Sequence, residues 1–311
     1  MGKATRDAYG EALRELGGRY KEIVVLDADL SKSTKTNLFA KAYPDRFFNA
    51  GIAEQNLVGT AAGLAAAGMI PFVSTFAMFA TGRAFEQIRN SVCYPRLNVK
   101  ICATHAGLTV GEDGASHQAL EDIGLMRSLP GMTVIVPADA TEAHRAVAWA
   151  VEHPGPVYIR LGRASVDDVF GDGYEFVPGR ANLLAEGADL TIIAAGIMVA
   201  PARRAADELT QSGLSARVLN MASIKPIDRE AIVKAAADTG AIVTCEEHNI
   251  IGGLGSAVAE VLGENAPVPM ERVGVLDTFG ESGTPDALLA KYNLTVADIV
   301  RAGKRVVERK K

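Results

Sequence analysis

The stretch FFNAGIAEQNLVGTAAGLAAAG, residues 47–68, decides how this chain folds. A short apolar strand over 46–49 runs into a turn containing Gly51, and a small-residue helix follows from Glu54 to about Ala67. Helical spacing puts Val58, Ala61, Ala62 and Ala65 on one face, so the helix is expected to press closely on a sheet. The only charged residue of the stretch is Glu54, at the helix entrance. Taken alone, such a carboxylate reads as a solvated group favoured by the positive end of the helix dipole.

Outward from this unit the chain alternates strand and helix. A helix at 5–16 and a strand at 22–27 with the polar exit DLSKST precede it. After it come a strand at 69–74, a helix at 83–92, a strand at 99–104, a long polar loop at 105–118 and a helix near 122–128. TVIVPADATEAHRAVAWAVE (133–152) adds a strand and a helix capped at Asp139 or Thr141, and VYIRLGR (157–163) closes the series. Residues 166–186 break the rhythm with Gly, Pro and acidic residues, and are expected to be a connection. Beyond them LTIIAAG, ARVLNM, AIVTCEE and PMERVGV read as strands, with helices between them that stop at Gly213 and Gly240. The predicted fold is α/β: two three-layer α/β/α domains with mostly parallel sheets, over 1–165 and 187–311.

Composition points the same way. A length of 311 residues suits two domains, each large enough to bury its own core. Hydrophobic content of 48% with 22% charged residues is ordinary for a soluble α/β protein. A net charge of −5 gives no reason to expect nucleic acid or an anionic membrane as partner. No run approaches the ~18 apolar residues of a membrane span. Cys93, Cys102 and Cys245 show neither metal-type nor disulfide-type spacing, and the amphipathic N-terminal helix is no signal peptide; a cytoplasmic location is expected.

In open α/β sheets, ligands sit beyond the carboxyl ends of strands. Asp29, Ser33, Glu54, Phe76, Phe79, His105, Asp113, His117 and Arg163 all fall there. Singly, each has a plain structural role open to it. Phe76 and Phe79, three apart, suit a core; His105 suits a strand-end cap; Asp113-Gly114 suits a turn. Their shared placement argues for one site.

AGIAEQN (50–56), STFAMF (74–79) and GEDGASHQ (111–118), in this order and each at a strand exit, resemble the transketolase family of thiamine diphosphate enzymes. The resemblance runs from Ala4 to about Ala302 and covers the pyrimidine-binding and C-terminal domains, the second half of a full-length transketolase. It implies that Glu54 hydrogen-bonds N1′ of the cofactor's aminopyrimidine. A proton shared there favours the imino tautomer, whose N4′ takes the proton from C2 of the thiazolium. It further implies that Phe76 and Phe79 flank the pyrimidine ring and that Asp29 lies near the cofactor. Many members carry another aromatic three residues after Phe79; here that position is Gly82, so the wall is reduced or supplied elsewhere. His105, Asp113 and His117 match a substrate-lining set, the histidines donating to a ketose's C1 hydroxyl and carbonyl oxygen or shuttling protons. Arg6, Ser33 and Arg163 match positions that hold the sugar phosphate, a task suited to a guanidinium. Arg160 remains open for the same part as Arg163.

The family holds the diphosphate through a divalent metal, Mg2+ or Ca2+, bound by a GDG…N motif. Gly171-Asp172-Gly173 lies in the expected connection, with no preceding strand and no suitably spaced Asn, and reads as a turn. GGLGSA (252–257) completes no GxGxxG and lacks an acidic residue ~20 positions on, so it reads as a strand-to-helix entry. No set of residues has metal-ligand spacing. The resemblance therefore implies the C-terminal subunit of a split transketolase. It would act only with a separate N-terminal transketolase subunit carrying the diphosphate- and metal-binding domain, in an assembly expected to be α2β2. Its reaction would move a two-carbon glycolaldehyde unit from a ketose phosphate to an aldose phosphate. The alternatives are a subunit of the 1-deoxyxylulose-5-phosphate synthase or 2-oxo-acid dehydrogenase β type, against which GEDGASHQ and His105 weigh, and a non-catalytic partner subunit, against which Glu54 weighs.

Overall fold

The computed structural model describes residues 2–310. Twelve strands form among them: β1 (Ile23–Asp27), β2 (Phe47–Asn49), β3 (Ile70–Ser74), β4 (Lys100–Ala103), β5 (Thr133–Ile135), β6 (Val157–Arg160), β7 (Asn182–Ala185), β8 (Leu190–Ala194), β9 (Ala216–Asn220), β10 (Ser223–Lys225), β11 (Ile242–Asn249) and β12 (Met270–Val275). They make two sheets, ordered β10-β5-β6-β4-β3-β1-β2 and β12-β11-β8-β9-β7. All pairs are parallel except β10 with β5 and β7 with β9. Apolar runs such as β1 and β8 are buried at every position, as strands covered on both faces must be. The expected pair of mostly parallel, helix-covered sheets is present.

The two sheets are not independent. β10 comes from the second half of the chain yet closes the edge of the first sheet, with Ser223 opposite Ile135 and Lys225 opposite Val134. The Lys225 ammonium donates to the carbonyls of Arg127 and Leu129 at 2.8 and 2.6 Å, which ties that edge down. One apolar core runs through both halves, from Leu57 and Val58 to Leu254 and Val258.

The helix Glu54–Ala66 forms as read, and Val58, Ala61 and Ala62 are buried; Leu57 joins them, while Ala65 is only half-buried. Asp139 is the cap of the helix Ala140–Glu152, its carboxylate accepting from the Glu142 N–H at 2.8 Å. Three expectations are corrected. Residues 83–92 are no plain α-helix: π-helical turns at Phe79–Arg83 and Ile88–Cys93 flank a short α segment, Phe85–Gln87. Such wide turns recur at functional sites because they re-aim side chains. The stretch 166–186 is not wholly connection, since its end is β7, paired antiparallel with β9. The loop 105–118 is not simply polar either: Ala106, Leu108, Thr109, Val110 and Gln118 are buried, and the Thr109 N–H and the Gln118 amide bond Glu247 and the Glu281 carbonyl of the second half.

Candidate active site

Glu54 begins its helix, and its side chain is only 2% exposed. Both carboxylate oxygens accept from one Arg83 nitrogen, at 3.0 and 2.9 Å. The Arg83 side chain is 49% exposed, so it can leave Glu54 for water with little loss. Its guanidinium carbon lies 4.6 Å from the Phe79 ring centroid, a cation–π arrangement. Arg83 had no signal in the sequence, because a lone arginine in a helical stretch reads as a solvated charge.

Phe76 and Phe79 leave the end of β3 and stack with ring centroids 5.9 Å apart. The His105 ring stacks on Phe76, with centroids 3.9 Å apart. His117 meets both phenylalanines edge-on, at 6.2 and 5.3 Å. Four rings from the exits of two strands, β3 and β4, therefore form one aromatic cluster, with Glu54 joined to it through Arg83.

His105 has φ +57°, a left-handed conformation that a non-glycine residue adopts only where its surroundings hold it. Its Nδ1 is 2.8 Å from the Thr104 hydroxyl, and its Nε2 is 3.1 Å from the Arg6 guanidinium. Arginine can only donate, so Nε2 accepts and Nδ1 carries the proton. Burial, then the charges of Arg6 and Arg163, hold the His105 pKa down to about 3. As placed, Nε2 is an acceptor; the donating role expected for His105 requires Arg6 to turn away.

Arg6 also donates to the Ser33 carbonyl at 3.1 Å, so Ser33 enters through its backbone. Ser33 and Asp29 sit on a segment shaped by Asp27, which the sequence reading passed over. The buried Asp27 carboxylate accepts from the Leu30 N–H at 2.6 Å and from the Thr34 and Thr36 hydroxyls at 2.7 and 2.8 Å. Asp29 itself is exposed, with φ +64°, and bonds Asn49 at the sheet edge. Asp113 faces Arg163 at 3.6 Å, and Arg163 donates to the Val110 carbonyl. Arg160 is a different case. It is buried, its Nε bonds Asp122 at 2.8 Å, and its Nη2 bonds the Glu247 carbonyl at 2.9 Å. Its guanidinium is consumed inside the fold, which leaves Arg163 as the exposed cation of the two.

Both glycine motifs have structural explanations. Gly171-Asp172-Gly173 is an exposed turn. At GGLGSA the amides of Leu254 and Gly255, which an anionic ligand would need, already donate to Glu246 at 2.7 and 2.8 Å. Among the described residues no three of His, Cys, Asp or Glu gather as a metal site.

Residues 1–168 match the model of the transketolase pyrimidine-binding domain, and residues 179–299 match that of the transketolase C-terminal domain. The chain belongs to the transketolase family. A Methanocaldococcus jannaschii chain named as a transketolase C-terminal section is 52% identical, over 99% of this chain and 97% of that one. A Clostridium sp. protein named as a 6-deoxy-6-sulfo-D-fructose transketolase subunit is 47% identical, over 98% and 95%. A solved split-gene transketolase, described as an inactive β4 tetramer, superposes with a TM-score of 0.94 at 62% identity, covering all of both chains. Among the described residues, no helix is long and apolar enough to cross a membrane.

Proposed function

We propose that this chain is the C-terminal subunit of a split, thiamine diphosphate-dependent transketolase that carries a two-carbon glycolaldehyde unit from a ketose phosphate to an aldose phosphate. The observation that carries this reading is the half-open constellation of Glu54, Phe76, Phe79, His105 and His117. Its members fit an aminopyrimidine. Glu54 is a buried carboxylate whose partner, Arg83, is free to swing out, and Phe76 and Phe79 offer stacked aromatic surface. When bound, thiamine diphosphate supplies an acidic carbon and an electron sink for cleaving a bond next to a carbonyl. Glu54 would hold a proton at the pyrimidine nitrogen, and Asp29 would lie near the cofactor.

His105 and His117 would meet the substrate's reacting oxygens, with Asp113 accepting from a sugar hydroxyl. Neutral His105 is suited to taking up a proton at Nε2 once Arg6 turns toward the substrate's anionic end. Arg6 and Arg163, with the Ser33 segment, would hold that anion. The diphosphate and its Mg2+ or Ca2+ would be bound by a separate N-terminal subunit, in an α2β2 assembly. The three cysteines are free and buried, which suits a reducing cytoplasm.

The sulfofructose relative supports a second reading of the substrate, in which the terminal anion is a sulfonate instead of a phosphate. The experiment is a donor comparison in the complex reconstituted with its N-terminal subunit, using xylulose 5-phosphate, 6-deoxy-6-sulfo-D-fructose and pyruvate. A ketose phosphate as best donor supports the first reading, and the sulfo sugar the second. A preference for pyruvate overturns both in favour of a 1-deoxyxylulose-5-phosphate synthase type of enzyme.

A further inference from the structure

The loop that carries the candidate substrate groups is gripped by the C-terminal half of the chain. Glu247 lies on β11 and is 3% exposed. Its Oε1 accepts the Thr109 N–H at 2.6 Å, across the junction between the halves. Gly107 makes the approach possible: at φ +83° it has no side chain, and a Cβ there would stand 2.2 Å from the Glu247 carboxyl carbon. Arg160 holds Glu247 from behind, through its main-chain carbonyl at 2.9 Å.

Nearby residues of β11 serve one half or the other. Glu246 bonds the amides that begin its own domain's helix Leu254–Asn265, and the Asn249 N–H crosses to the Leu120 carbonyl at 2.9 Å. The far end of the loop is held by Gln118, whose amide donates to the carbonyls of Leu108 and Glu281 at 3.2 and 2.9 Å. Thr109 lies four residues after His105, and the next carbonyl, Val110, is the one Arg163 bonds. Along the loop, the Glu247 contact therefore falls between His105 and the carbonyl that Arg163 bonds.

We infer that Glu247 is a positioning residue: by accepting the Thr109 N–H it fixes the loop 105–118, and with it the alignment of His105 and Arg163. The C-terminal domain thereby takes part in turnover without touching substrate. This rests on the reading of the site as a two-carbon transfer centre, and the test separates the two.

Glu247→Gln keeps an oxygen that can accept, whereas Glu247→Met fills similar space with no good acceptor; both remove the charge. Amide exchange of the full chain should show Thr109 strongly protected in the wild type and in Glu247→Gln. In Glu247→Met the exchange of 105–118 should rise at least about tenfold, with β8 and β9 unchanged. In the reconstituted complex Glu247→Met should lose roughly 10- to 100-fold in kcat, the scale on which a misplacement of about 1 Å acts, with ketose KM within about threefold. Glu247→Gln should recover most of that loss. Rapid exchange of Thr109 in the wild type overturns the inference, as does uniform loosening of both domains in Glu247→Met. A loosened loop with unchanged kcat also overturns it. If loop exchange follows the pattern but no variant, nor the wild type, turns over a ketose, Glu247 keeps its place as the loop's anchor and the reading of the site falls instead.

Discussion

Replacing Glu54 by glutamine keeps the shape of the buried side chain and removes the group that would share a proton with the cofactor's pyrimidine. The structure separates the two consequences by size. On the stability side, the loss is the pair with Arg83 and the favourable helix N-terminus. Arg83 is half-exposed and regains water, so the pair is worth ~1 kcal/mol at most. An acidic group in the first helical turn adds ~0.5 kcal/mol. A total of about 1.5 kcal/mol lowers Tm by roughly 2–3 °C in a protein of this size. On the catalytic side, loss of one preorganised interaction aimed at the reacting group costs ~10²–10³ in kcat, or about 3–4 kcal/mol in the barrier. The assays are thermal unfolding of the chain, and steady-state turnover with hydrogen–deuterium exchange at the cofactor's C2 in the reconstituted complex. Unchanged C2 exchange in Glu54→Gln would refute the reasoning. A Tm drop above about 10 °C would also refute it, because unfolding would then account for the lost turnover.

Further outcomes follow from the same geometry. Arg163→Ala should raise KM for phosphorylated acceptors while kcat changes little, because its contact would be equal in ground and transition states; an unchanged acceptor KM removes it from the anion site. Arg160→Ala should instead lower stability by ~3–5 kcal/mol in urea unfolding, since it strands Asp122 and Glu247 in the interior; a loss below about 1 kcal/mol contradicts that reading. His105, with its pKa near 3, should show no NMR titration between pH 8 and 5, and a midpoint of 6–7 would contradict the geometry. The linkage has a definite sign. The unfolded chain takes up this proton near pH 6.5 and the folded chain only near 3, so His105's contribution is whole above 6.5 and lost progressively as pH falls towards 3.

The alternation of strands and helices was legible because each unit has a local signature. The small-residue face after Glu54, the Asp139 cap and the apolar runs of β1 and β8 needed no knowledge of distant contacts. β7 and β10 were not legible in that way. They are three or four residues long and exist because a remote strand offers an antiparallel edge. The π-helical turns around Phe85–Gln87 replace a helical pattern without changing its apolar spacing. Within the site, aromatic and histidine positions could be placed by their strand exits. Arg83, Asp27 and Glu247 could not, since a single charge in a sequence reads as solvated until the structure shows what it faces. Arg160 and Arg163 looked interchangeable for the same reason, and burial separates them.

The central claim, that this chain supplies only one half of a transketolase centre, is tested most directly by turnover with and without the second subunit. The purified chain, given thiamine diphosphate, Mg2+, xylulose 5-phosphate and ribose 5-phosphate, should fold and show no two-carbon transfer. Adding the N-terminal transketolase subunit should restore it, in a complex containing more than one copy of this chain. Full turnover by the chain alone would contradict the claim.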